Sequence, residues 1–142
     1  MEVKYKEKWK QKAQKNYLCL KLALKLEVSY LAWAVLGAGL WSVVNGILHD
    51  IFVLRSEYGK KYDRELLRLL MDGHVLITCG AIQAFSFTGI EKQDNSGYIM
   101  AGIASLSLLI YCAMIWKFLK SVATIPINAA ILTLLIISFA AK

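Results

Sequence analysis

The side chains in this 142-residue chain best equipped for chemistry fall between positions 49 and 74. His49 and His74 are its two histidines, Asp50 follows the first, and Asp72 stands two places before the second. Paired across a helical hairpin, the histidines would ligate a haem or offer two nitrogens to copper or zinc. Asp50 with His74, or His49 with Asp72, would make a proton relay or a hydrogen-bonded clamp. Helical geometry limits these options. Positions 49 and 50 project about 100° apart and 72 and 74 about 200° apart, so at most one pair meets. The metal set His49, His74, Asp50 and Asp72 is therefore incomplete without water or a second subunit, and no cofactor is expected in the isolated chain. The plain alternative is a group of wet side chains at headgroup depth that fixes the hairpin.

Asn45 lies one turn before His49, and Asn128 one turn into the last apolar segment. Both are assigned to the same end, giving an expected polar cluster of Asn45, His49, Asp50, Asp72, His74 and Asn128. Gln83 is the deepest strongly polar residue, about ten positions into its apolar run. An interhelical hydrogen bond to Ser105 or Ser107 is its expected role.

Three stripes of small residues also recur every four positions: Ala34, Ala38, Ser42 and Gly46; Gly80, Ala84 and Thr88; Gly97, Ala101 and Ser105. Such stripes let helix backbones approach closely in lipid. The first and third are read as faces for docking another subunit, with packing inside the chain as the alternative.

The elements that position these residues follow from composition. Hydrophobic residues make up 58% and charged residues 19%, with a mean hydropathy of +0.50. Four charge-free runs cover 28–49, 73–90, 98–116 and 121–141. About 20 apolar residues cross a hydrocarbon core as a helix, so these runs exclude an ordinary soluble globule. The runs do not alternate, which excludes a transmembrane barrel. The expected fold is an all-α integral membrane protein: a four-helix up-down bundle with spans near 28–54, 66–90, 98–116 and 124–141. The second helix is placed to begin near Asp63, and Pro126 in the first turn of the fourth, where its missing N–H costs nothing.

Residues 1–27 carry eight lysines against three glutamates. Tyr5, Trp9, Ala13, Tyr17, Leu20 and Leu24 share one helical face. This arm is expected to lie at the headgroups, with Lys4, Lys8, Trp9, Lys12 and Lys15 against anionic lipid. It lacks the short apolar core and small-residue cleavage site of a signal peptide. Nothing in it suits base readout, so nucleic acid is not an expected partner. Lysine and arginine counts place both termini in the cytoplasm, by ten inside against seven outside.

The scattered Cys19, Cys79 and Cys112 exclude a disulfide framework. Walker, GxGxxG, HExxH and GxSxG motifs are missing. The leading functional expectation is a non-catalytic accessory subunit of a larger integral membrane complex, of respiratory or metal-dependent oxidase or monooxygenase type. A small homo-oligomeric transporter or channel, with Asp50, Asp72 and Gln83 along its path, is the second. A membrane enzyme or haem protein built on His49 and His74 is the third.

Overall fold

The computed structural model describes residues 2–115 and 123–140, with side chains from residue 28 onward. Among the described residues every regular element is helical. Helix α1 (Glu2–Arg55) is followed by a short 3-10 turn at Glu57–Lys60. Then come α2 (Arg64–Glu91), α3 (Asn95–Met114) and α4 (Thr124–Ala140). Helix is the form that satisfies every backbone N–H and C=O within one apolar segment, so long charge-free runs favour it.

The helix starts are set by side chains that replace missing backbone partners. Asp63 Oδ1 accepts the Leu66 N–H at 2.9 Å, so α2 begins at Arg64, as the sequence indicates. Pro126 falls in the first turn of α4, also as expected. The α2–α3 turn closes with two capping bonds, Asp94 N–H to Gly89 O at 2.8 Å and Gln93 N–H to Ile90 O at 2.9 Å. Gln93 sits between them at φ 58°, the left-handed residue that this helix ending demands.

Helix α1 is continuous in backbone from Glu2 to Arg55, with no break between the basic arm and the apolar segment. The arm's side chains, including Lys4, Lys8, Trp9, Lys12 and Lys15, lie outside the described ones. So do Trp116 and most of the connection before α4.

Three segments are long and apolar enough to cross a membrane: Val28–Arg55, Arg64–Glu91 and Asn95–Met114. The fourth apolar helix is shorter, 17 described residues. At 1.5 Å per residue it covers about 26 Å, slightly less than a hydrocarbon core.

Helix α1 packs on α2, α2 on α3, α3 on α4, and α4 back on α1. The interior sets small and polar residues among larger apolar ones: Ala32, Ala38, Ser42, Gln83, Ser86, Ala101, Ala104, Ser105 and Asn128 are buried, together with Leu31, Val35, Ile90, Tyr98, Leu108, Ile131 and Leu135. Many other large apolar side chains face outward, among them Phe85 (78% exposed) and Phe52 (72%). An outward apolar surface and small residues at the helix contacts suit packing where lipid is the solvent, since small residues give close backbone contact and apolar bulk has no reason to hide.

Helices α1 and α2 approach closely at two reciprocal glycine pairs. A Cβ on Gly39 would lie 2.6 Å from Gly80 O, and one on Gly80 would lie 2.6 Å from Gly39 O. Seven residues along each helix, a Cβ on Gly46 would meet Gly73 O at 2.6 Å, and one on Gly73 would meet Gly46 O at 2.9 Å. The pairing runs forward on α1 and backward on α2, so these two helices are antiparallel. A spacing of seven returns both pairs to one seam.

Candidate functional site

Two polar groupings stand out inside this framework. The first is centred on Gln83, which is fully buried on α2. Its amide Nε2 donates to Ser105 Oγ on α3 at 2.8 Å and to Asn128 Oδ1 on α4 at 2.7 Å. Both acceptors are themselves oriented. Ser105 Oγ donates to Ala101 O at 2.8 Å, and Asn128 Nδ2 donates to Thr124 O at 2.9 Å. These back-bonds present oxygen toward Gln83, so its NH₂ meets two acceptors. Gly39 of α1 closes the fourth side, where an added Cβ would stand 3.1 Å from Gln83 Cβ. One glutamine thus links three helices and packs under the fourth.

The bond to Ser105 is the one expected from sequence; Ser107 is exposed. Asn128 is a correction. It was assigned to the histidine end, but it is bonded to Gln83 near the middle of α3. Gly39, which packs on Gln83, lies ten residues before His49 on α1, about 15 Å along the axis. The physical reason is the offset of α4 along its neighbours. Because Thr124 is its first residue, one turn inward brings Asn128 level with Ser105, at the midpoint of Asn95–Met114.

The second grouping is the histidine end. His49 Nδ1 and Asp50 Oδ1 are 3.5 Å apart, and neither atom has a closer hydrogen-bonding partner among the described residues. The Asp50 carboxylate fills the space over Gly73, so that glycine makes room for a charge as well as for the α1 backbone. Asp72, one residue earlier, is turned toward the Tyr111 hydroxyl of α3. His74 is exposed, and Asn45 Nδ2 bonds back to Trp41 O at 2.8 Å. His49 and Asp50 are therefore the close pair of this end, and both lie on one helix. Among the described residues no three His, Cys, Asp or Glu side chains gather closely enough to hold a metal ion.

The small-residue stripes divide. Ala38, Ser42 and Gly46 are buried against this chain's own helices, as are Gly97, Ala101 and Ser105. Ala34 is exposed. It belongs to a different stripe, with Tyr30, Gly37, Trp41 and Val44, all outward-facing. Gly37 has nothing within 4 Å of an added Cβ. Sequence reasoning passed over Gly39 and Gly73, the partners of Gly80 and Gly46. Their seven-residue spacing to Gly46 and Gly80 was the available signal.

Comparison with protein-family models, with curated proteins and with solved structures finds no match to this chain.

Proposed function

We propose that this chain is a non-catalytic accessory subunit of a larger integral membrane complex, folded as an up-down four-helix bundle with both termini in the cytoplasm. One observation carries the reading: Gln83 Nε2, Ser105 and Asn128 hold three helices to one another, while the outward faces carry large apolar side chains. Gln83, Ser105 and Asn128 bond among themselves, and Asp50 fills a helix contact over Gly73. The surface left for function is the exterior, which fits lipid and neighbouring transmembrane helices. The outward stripe of Tyr30, Ala34, Gly37, Trp41 and Val44 is the preferred contact, because Ala34 and Gly37 leave a shallow track between aromatic ends. The basic arm would hold this contact close to the headgroups of anionic lipid.

Gentle-detergent purification from the native membrane, with mass spectrometry of the co-migrating chains, tests the proposal. A larger species containing other integral subunits is expected, and Gly37→Leu should remove it while the isolated chain stays folded. A larger species built from this chain alone would favour a homo-oligomeric transporter. No larger species, or one indifferent to Gly37→Leu, would overturn the docking reading. Orientation is tested by single-cysteine labelling in a background without Cys19, Cys79 and Cys112. Position 58 should label from outside, and external labelling at position 95 would reverse the topology.

A further inference from the structure

We propose that the basic arm sets the orientation of this chain in the membrane, against a bias in the bundle's own turns that would insert the four helices the other way round. The inference rests on the four-span orientation proposed above and assigns the arm a task beyond contact with lipid.

Without the arm, the lysines and arginines favour the opposite orientation. The α1–α2 turn and its flanks carry Arg55, Lys60, Lys61, Arg64 and Arg68, and the connection before α4 carries Lys117 and Lys120. All seven belong to the side assigned to the outside. The cytoplasmic side has only Lys92, between α2 and α3, and Lys142 after α4. Lysine and arginine in short segments beside a span stay on the cytoplasmic side, whereas acidic residues contribute little. Seven against two would therefore place the α1–α2 turn inside. The eight lysines of residues 1–27 reverse the sign, to ten against seven. The opposing charge is not cancelled within the fold. All five basic residues at the α1–α2 turn are exposed, and among the described residues Lys60 alone of them has an ion pair, with Glu57 at 2.6 Å.

Such a conflict is resolved either by turning over the whole chain or by leaving one span out of the membrane. The helix contacts favour the first. Backbone helix runs unbroken from the arm into the first span, so the two enter as one rod. The α1 and α2 backbones meet at Gly39 with Gly80 and at Gly46 with Gly73, and Gln83 ties α2 to α3 and α4. Any span left out would forfeit a glycine contact or a Gln83 bond. The four helices therefore answer to the arm as one body.

The test uses the full chain in intact cells, without Cys19, Cys79 and Cys112, carrying either Tyr58→Cys or Asn95→Cys and treated with a membrane-impermeant maleimide. With the native arm, position 58 should label and position 95 should not. Labelling at 95 here overturns the proposed orientation, and the inference with it. The six changes Lys4→Gln, Lys6→Gln, Lys8→Gln, Lys10→Gln, Lys12→Gln and Lys15→Gln leave four cytoplasmic charges against seven. Label should then be lost at 58 and gained at 95. Adding Lys60→Gln, Lys61→Gln, Arg64→Gln and Arg68→Gln to that chain gives four against three and should return the label to 58. If 58 still labels in the six-glutamine chain, the arm does not set orientation, whatever the native chain shows. Loss at 58 without gain at 95 means a span left out and also overturns the inference. Degradation of the six-glutamine chain supports it if the four turn substitutions restore protein labelled at 58, and overturns it if they do not.

Discussion

Gln83 and His49 are both polar side chains carried on apolar helices, and they are anchored in opposite ways. Gln83 bonds across the structure, to Ser105 on α3 and Asn128 on α4. The polar atom of His49 faces the residue next to it, Asp50, on the same helix. A bond across helices is lost if either helix slides or rotates, so Gln83 fixes register. A pair within one helix survives any such motion and fixes nothing beyond itself. At the histidine end the interhelical work falls to packing instead, with Asp50 seated over Gly73. The two regions therefore respond to different substitutions: the first to loss of an amide, the second to gain of a methyl.

The largest expected effect comes from the seam that both regions share. Gly80→Leu drives a side chain into the α1 backbone, where even a Cβ would meet Gly39 O at 2.6 Å. Overpacking of this kind costs about 3 kcal/mol or more, and thermal unfolding in detergent should show the loss. Gly102→Leu is the control, since an added Cβ there meets nothing within 4 Å. A stable Gly80→Leu protein would remove the seam from the account of the fold.

Next in size is Gly73→Ala, whose methyl takes the place of the Asp50 carboxylate. A loss of about 2 kcal/mol is expected, and Asp50→Ala should restore much of it. Without that rescue, the Gly46 carbonyl is the controlling neighbour. Gln83→Ala should cost about 1–2 kcal/mol, because it removes two interhelical bonds and leaves Asn128 Oδ1 unpaired. A double-mutant cycle with Asn128→Ala should return a coupling of about 0.6 kcal/mol, the usual size of such a bond in a membrane protein. A cycle between His49 and Ser105 should return none. Smallest is Gln93→Gly, which relieves a left-handed residue and should stabilise the hairpin by about 1 kcal/mol. An unchanged unfolding temperature would mean that the glutamine side chain offsets its backbone cost.

Some of this was readable one residue at a time. Asp63 announced the start of α2 because a cap acts three residues away, within the reach of local reading. Gln83 announced an interhelical bond because an amide ten residues into an apolar run needs a partner. Its second partner was not readable. Asn128 is one turn into the fourth span, which reads as the histidine end until the offset of α4 against α2 and α3 is known. The stripe from Ala34 to Gly46 was similarly mixed: spacing of four suggests one face, but Ala34 has drifted outward while Ala38, Ser42 and Gly46 remain inside. A step of four residues overshoots a full 3.6-residue turn by about 40°, so a long run of fours does not stay on one face.

The sequence by itself determined that this chain is helical and that three of its segments suit a membrane. A charge-free run of about 20 residues must satisfy its own backbone wherever it sits, and that requirement involves no other part of the chain. Tertiary structure decided which residues meet. Gly37 and Gly39 are two positions apart and identical in kind, yet one faces open space and the other touches the backbone of α2. What separates them is the rotation and offset of α1 against α2, a property of two surfaces in contact. The same relation placed Asn128 beside Gln83 and left His74 facing outward.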